Sequence, residues 1–304
     1  LMTERQSKFG AIGRQGLPAA DIHLLEREAE SINPGGTNLS ESGTWIADSV
    51  VFSMLIISRT PNLRTLAITL DPQGLSLLIG LAQGRINAHH LLSCRARFEK
   101  LHLRCRKGRC DERINMISIA RLLSLLPLTE ILISDYCAHR QASNTKIDTD
   151  VAPLRSLPIS TVSLSGSFIE VTDIDALIGL CRKLVAFYYC QYGSQSIEPL
   201  SPQRLYSLLF CQRNSLRVLQ LSLYDLIASS PIFSDSQFGS LKDFVGLEYL
   251  ILDQVYFSFT PQLPPSLKHL TIRECRSPAA PSLVSIAECV LNGQLPNLQI
   301  ICLH

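Results

Sequence analysis

One six-residue phrase of apolar and other positions recurs along the chain. An apolar residue is followed by two others, a second apolar residue, one other and a third apolar residue. Leu247, Leu250 and Leu252 carry it, as do Leu63/Leu66/Ile68, Phe98/Leu101/Leu103, Leu128/Ile131/Ile133 and Ile159/Val162/Leu164. Leu184/Phe187/Tyr189, Leu216/Leu219/Leu221, Leu267/Leu270/Ile272 and Leu298/Ile301/Leu303 complete a set of nine. The last two apolar positions of each phrase lie two apart, the period of a short strand buried on one face. The phrases begin at residues 63, 98, 128, 159, 184, 216, 247, 267 and 298, in steps of 20 to 35 residues. A phrase that returns at such intervals marks a chain stacked from like supersecondary units, none able to bury its apolar face without a neighbour.

Between the phrases the period changes to that of a helix. Met116, Ile119, Ala120, Leu123 and Leu126 form an apolar stripe that Pro127 ends. Ile174, Leu177, Ile178 and Cys181 form another, with Thr172 or Asp173 as its cap. Ser201-Pro202, a cap followed by proline at the first helical position, opens Leu205, Leu208 and Leu209. Leu283, Ile286, Ala287, Val290 and Leu291 run to a stop at Asn292-Gly293. The predicted order is strand, loop, helix, repeated. Loops are expected over residues 140–153, 228–236 and 257–266.

Residues 1–60 read as a helical N-terminal or capping segment, flexible in part, and residues 61–304 as the array of about nine units. In the first part, helices are expected over 20–31 and 45–58, the second with Ile46, Val50, Val51, Met54 and Leu55 on one face before Pro61. Gly10, Gly13 and Gly16 follow no strand, so a pliable terminus is expected there and not a phosphate cradle. The chain opens on Leu1 instead of Met, which leads us to expect a longer protein.

Composition narrows the classes. The 304 residues are 46% hydrophobic and 18% charged, which suits a folded core. A net charge of +2 offers no general attraction for nucleic acid or anionic membrane. No apolar run approaches the roughly 20 residues a membrane helix needs, and no secretory signal opens the chain. The ten cysteines sit mostly within apolar segments, as small hydrophobes do, which suggests reduced thiols and a cytoplasmic or nuclear setting. A doubly wound α/β enzyme or nucleotide binder also alternates strands and helices, and it is the alternative reading. Against it, the strands are short and share one pattern, and the turn Leu70-Asp71-Pro72-Gln73-Gly74 is not the glycine turn that holds a dinucleotide phosphate.

The nine phrases resemble those of leucine-rich repeat proteins. The wording Asn62-Leu63-Arg64-Thr65-Leu66 and Ser266-Leu267-Lys268-His269-Leu270 is similar to the C-terminal region of fungal F-box proteins. The resemblance covers about residues 61–304. It implies an α/β fold, an irregular leucine-rich-repeat solenoid with short parallel strands on the concave face and helices on the convex face. It also implies a protein–protein interaction module, the substrate-recognition part of a ubiquitin ligase adaptor, with a Skp1-type adaptor bound through an F-box N-terminal to this chain. Regular repeats place Asn or Cys eight residues after the first leucine. Here Asp71, Arg106, Tyr136, Ser167, Tyr192, Tyr224 and Val255 stand there, and only Cys275 matches.

Alternation assigns the partner-facing side chains. The leucines of a strand point inward, so their neighbours line the other face. Lys100, His102, Arg104, Glu130, Tyr188, Gln220, Tyr249, Asp253, His269 and Arg273 are the candidate protein-binding residues, because aromatic and guanidinium groups anchor interfaces. The run Arg95 to Arg109 carries seven cations and one acid, Glu99, and makes nucleic-acid binding a second alternative. Stacking aromatics are nearly absent from it, so a solvated basic edge is favoured. Cys94, Cys105 and Cys110 with His89, His90 and His102 lack the paired spacing of a zinc site. No nucleophile elbow, His-Glu-x-x-His or Walker loop occurs, and Leu164-Ser165-Gly166-Ser167 misses the first glycine of the elbow. No catalysis, cofactor or metal is therefore expected.

Overall fold

The structure is a computed structural model. It describes residues 64–70, 75, 78–79, 99–105, 116–136, 157–166, 169, 171–192, 202–224, 238–254, 261–275 and 280–304. The helices expected at 20–31 and 45–58, the glycine run of residues 10–16, the loop at 140–153 and most of the basic stretch lie outside these residues.

The chain divides into two compact units, Leu1–Leu63 with Gln73–Arg97 and Arg64–Pro72 with Phe98–His304. In the first, the described residues are Leu75, Leu78 and Ile79, all helical and buried. The second holds one parallel sheet of nine strands. They are β1 (Thr65–Leu70), β2 (Lys100–Cys105), β3 (Glu130–Ser134), β4 (Thr161–Ser165), β5 (Ala186–Tyr192), β6 (Val218–Tyr224), β7 (Tyr249–Asp253), β8 (His269–Arg273) and β9 (Ile300–Leu303). Their order across the sheet is their order along the chain, and the sheet is open. A doubly wound sheet reverses strand order at a switch point where its ligand sits. This one has no reversal among its described strands, so it is not doubly wound.

Register follows the apolar phrase. Leu101 pairs with Ile131, Ile131 with Val162, Val162 with Phe187, Phe187 with Leu219, Leu219 with Leu250, and Leu250 with Leu270. A slip of one residue would turn every apolar row outward, so burial itself enforces the register. From Ile131 to Ile272 these inward side chains are at most 2% exposed. The first residue of the phrase, as in Leu128, Leu184, Leu216, Leu247 and Leu267, is fully buried where the chain turns into the strand.

The turn into each strand has one recurring backbone device. The carbonyl of the residue before a strand accepts two N–H groups from the next repeat. Arg64 O takes Glu99 N (2.9 Å) and Lys100 N (3.0 Å), and the arrangement continues through Glu99, Thr129, Ser160, Val185, Arg217, Glu248 and Lys268. Thr129 and Ser160 add hydroxyl donors to the carbonyls of Glu99 and Thr129.

The second unit has four described helices: α1 (Met116–Ser124), α2 (Val171–Leu180), α3 (Pro202–Phe210) and α4 (Ala280–Leu291). All four fall on the predicted stripes. α1 adjoins α2, and α2 adjoins α3. Their stripe residues Ile119, Leu123, Ile174, Leu177, Leu205 and Leu209 are buried and complete the core beneath the sheet. The expected cap of α2 shifts, since Thr172 and Asp173 lie within its first turn, where Asp173 accepts the Tyr136 hydroxyl at 3.0 Å. Tyr136, eight residues after Leu128, is tied to α2 by this bond. α4 ends as predicted, with Gly293 left-handed (φ 68) and its N–H on Val290 O.

The strand–loop–helix order does not hold at every step. Before β7 the described connection contains a single 3-10 turn, Leu241–Asp243, whose N–H at Lys242 is capped by Ser240. It packs through Phe244 and Phe238 on Tyr206 of α3, and Gly239 lies so close to the Tyr206 ring that a Cβ would stand 3.0 Å from it. Before β8 the described residues are Gln254, which is 3-10, and 261–268, irregular chain with one turn at 265–266. The step there is the shortest, and Pro261, Pro264 and Pro265 lack the N–H groups a helix interior needs.

Candidate functional site

The face of the sheet away from the core carries three outward rows. Lys100, Glu130, Thr161, Ala186, Val218, Tyr249, His269 and Ile300 are register neighbours in the first. His102, Leu132, Ser163, Tyr188, Gln220, Ile251, Thr271 and Cys302 follow in the second, and Arg104, Ser134, Ser165, Cys190, Ser222, Asp253 and Arg273 in the third. All ten candidate residues therefore lie on this face. The structure does not bring them into one cluster. With strands about 4.8 Å apart, β3 and β7 are separated by roughly 19 Å.

The first cluster, on β2 and β3, is charged and internally satisfied. Lys100 Nζ lies 2.6 Å from Glu130 Oε2. The hydrogen bond to Glu130 holds the Lys100 ammonium above its ordinary pKa. Arg104 Nε donates to Asp135 Oδ2 at 2.9 Å. Asp135 is left-handed (φ 56), a conformation that short polar side chains tolerate better than most. His102 Nε2 lies 3.1 Å from Ser134 Oγ. The cations singled out from the basic stretch thus have acids of the next repeat beside them. His102 and Cys105, two of the loosely grouped zinc-type ligands, lie on opposite faces of β2, since Cys105 points into the core. The other four lie outside the described residues.

The second cluster, on β7 and β8, is different. The Tyr249 and His269 rings stack with centroids 4.6 Å apart and planes 8° from parallel. Tyr249 is 41% exposed, and Ile251 and Thr271 beside it are half-buried. Asp253 is fully buried although its row faces outward. Ser222 donates to its Oδ1 at 3.4 Å, and Arg273 is its register neighbour on β8. Tyr188 and Gln220, half-buried register partners on β5 and β6, lie between the clusters.

One row passed unnoticed in the sequence, the residue just before each strand. Arg217 and Lys268 flank Glu248 from the two neighbouring repeats, at 3.7 and 2.9 Å. The hydrogen bond from Lys268 lowers the Glu248 pKa, with the charges of Lys268 and Arg217 adding to it. Arg64 and Glu99 pair at the same level, at 3.5 Å. Comparing the second residue of each of the nine phrases would have exposed this row.

Buried polar chemistry lies on the core side as well. Gln212 reaches back one repeat, accepting the Leu184 N–H on Oε1 (3.1 Å) and donating Nε2 to the Cys181 carbonyl (3.1 Å). Ser215 donates to the same Oε1 at 3.0 Å. The Cys105 and Cys181 thiols are pushed up to about 12 by burial, which leaves them protonated and poor nucleophiles at neutral pH. Among the described residues, no three His, Cys, Asp or Glu side chains converge as metal ligands, and no helix is long and apolar enough to cross a membrane.

No protein-family profile matches the chain, and no curated protein is significantly similar to it.

Proposed function

We propose that the chain is a protein–protein interaction module, an irregular leucine-rich-repeat solenoid that holds a protein partner against the outward rows of its sheet. The observation that carries this reading is the open parallel sheet in chain order, with aligned outward rows that include half-exposed aromatic side chains. Core-facing positions hold the fold, so the outward positions are free to differ from repeat to repeat and to define a partner. Tyr188 and Tyr249 are the expected anchors. They combine large area, few rotamers and one hydroxyl each. Lys100, His102, Arg104 and Glu130 contribute a polar flank whose charges are already paired, so they set orientation more than affinity. The resemblance to F-box proteins extends the proposal to substrate recognition for a ubiquitin ligase, with a Skp1-type adaptor held by a segment N-terminal to the repeats, in the cytoplasm or nucleus.

The test is capture from a lysate of the source cells by the full-length protein and by its Tyr188→Ala/Tyr249→Ala variant, with mass spectrometry of both. The expected result is a partner retained by the wild type and lost by the variant, together with a Skp1-type adaptor and cullin retained by both. Identical recovery of every protein by the two would sink the outward face as the binding surface. A partner recovered without adaptor or cullin would remove the ligase part and leave the module.

A further inference from the structure

Charges along the outward side of the sheet are matched one to one around β1 to β3. Arg64 lies 3.5 Å from Glu99, Lys100 2.6 Å from Glu130 and Arg104 2.9 Å from Asp135. Around β6 to β8, two cations share one acid. Glu248 accepts Lys268 Nζ on Oε2 at 2.9 Å, while Arg217 Nη1 stands 3.7 Å from its Oε1. That separation exceeds hydrogen-bond distance, and the Arg217 side chain is 63% exposed. Among the described residues Glu248 is the one acid beside it, so the guanidinium keeps its donors for another acceptor.

Those donors border an aromatic wall. Val218 of β6 and Tyr249 of β7 are register neighbours, one residue along from Arg217 and Glu248. His269 of β8 stacks on Tyr249 and so takes the ring face turned to β8. The other face looks back over β6, where Val218 is half-buried. The result is a corner with an aromatic wall, an aliphatic floor and a guanidinium at its rim. The stack fixes the Tyr249 ring in advance, so little side-chain freedom is lost when a partner packs on it.

The charge of the corner decides what fits it. A guanidinium with parallel donors matches a carboxylate, which accepts two of them. A phosphodiester backbone is held by a row of cations, whereas here one positive charge stands in excess of Glu248. The wall beside the guanidinium calls for an apolar side chain next to the acid. We propose that the corner between β6 and β7 receives an acidic segment of the partner protein, with an Asp or Glu carboxylate on Arg217 and a neighbouring apolar or aromatic side chain against Tyr249 and Val218. The proposal rests on the protein-binding reading above and names the chemistry of that partner. It adds Arg217, which strand alternation does not single out, to the binding residues.

The test is selection from a phage-displayed library of random peptides by the immobilised 304-residue chain, with a parallel selection by its Arg217→Glu variant. The wild type should enrich peptides with Asp or Glu beside Phe, Tyr, Trp or Leu. Arg217→Glu should lose that enrichment and select Lys or Arg in place of the acid. The best wild-type peptide is then synthesised with a fluorophore and titrated. Its Kd should rise at least about tenfold in Arg217→Gln, the loss of a hydrogen bond between charged groups, and should rise with added salt. Arg64→Gln removes the same charge from the far end of the sheet and should leave the Kd unchanged. Arg217 lies mostly in solvent, so its variants should fold, which an unchanged far-ultraviolet spectrum checks, and the wild-type enrichment depends on no variant. Peptides that bind through Tyr249 with no preference for an acid would overturn this inference and leave the interaction module standing. Enrichment of no peptide would overturn it as well, while the lysate capture with Tyr188→Ala/Tyr249→Ala still decides the module. A labelled single-stranded oligonucleotide held more tightly than the peptide, with the same loss in Arg217→Gln, would overturn it in favour of a phosphate partner.

Discussion

Strands β8 and β9 carry the same phrase and meet opposite fates. Leu270 and Ile272 are 0% and 1% exposed, whereas Ile301 and Leu303 are 44% and 48% exposed. Backbone pairing does not distinguish them on the shared side, for β9 joins β8 in the same register and through the same doubly accepting carbonyl. What β9 lacks is a described neighbour beyond it. The pattern of a strand decides which side chains turn toward the core, while the amount of core they find depends on the repeat that follows. A solitary repeat of this kind would have the right alternation and little stability. The array gains its stability at the junctions, and the comparison locates those junctions residue by residue.

The sharpest way to break the comparison is a pair of truncations at equivalent positions. Leu250→Ala empties a fully buried site flanked by Leu219 and Leu270 and should cost about 2–5 kcal/mol in chemical denaturation. Leu303→Ala removes a side chain already half in water and should cost well under half as much, about 1 kcal/mol. Equal losses would mean that the end is as well packed as the middle. A smaller effect tests whether polar links also hold interior junctions. Gln212→Ala leaves the Leu184 N–H and Cys181 carbonyl without their side-chain partner and should cost about 1–3 kcal/mol. A loss within error of zero would leave the apolar rows as the only cement.

The smallest expected effect concerns the charged row. The folded pKa of Glu248 is depressed, chiefly by the Lys268 hydrogen bond, so its stabilising contribution is present above the ordinary carboxylate pKa. It is lost as pH falls through the lowered value. Because Lys268 and Arg217 are substantially exposed, the contribution should be about 0–1 kcal/mol. Stability of Glu248→Ala and wild type, compared from pH 7 down to pH 3, should converge at the acid end. A difference that persists there would assign the effect to packing of the side chain.

Much of the architecture could be read before any coordinates, and particular residues show why. Leu66, Leu101, Ile131 and their successors repeat one spacing, and a spacing that recurs nine times averages out local ambiguity. The four helical stripes were readable for the same reason, since each holds apolar residues at three- and four-residue intervals, two of them before a stop at Pro127 or Gly293. Among the described residues no α-helix stands before β7 or β8, and at β8 the step is the shortest and Pro261, Pro264 and Pro265 lack the N–H groups a helix interior needs. The outward rows were assigned correctly by alternation, but their character was not. Lys100 and Arg104 belong to a stretch that reads as a solvated basic edge, and acids of the next repeat, Glu130 and Asp135, pair with them. Asp253 read as a surface acid and is buried beside Ser222.

The sequence by itself determined parity and succession, which residues of each strand face the core and which strand follows which. These depend only on local periodicity, and local periodicity is written in consecutive residues. Tertiary structure alone decided which charges neutralise each other, that Gln212 spans two repeats, and that Asp253 is buried beside Ser222. Each of those depends on groups about thirty residues apart in the chain and one strand apart in space, a distance no local pattern measures.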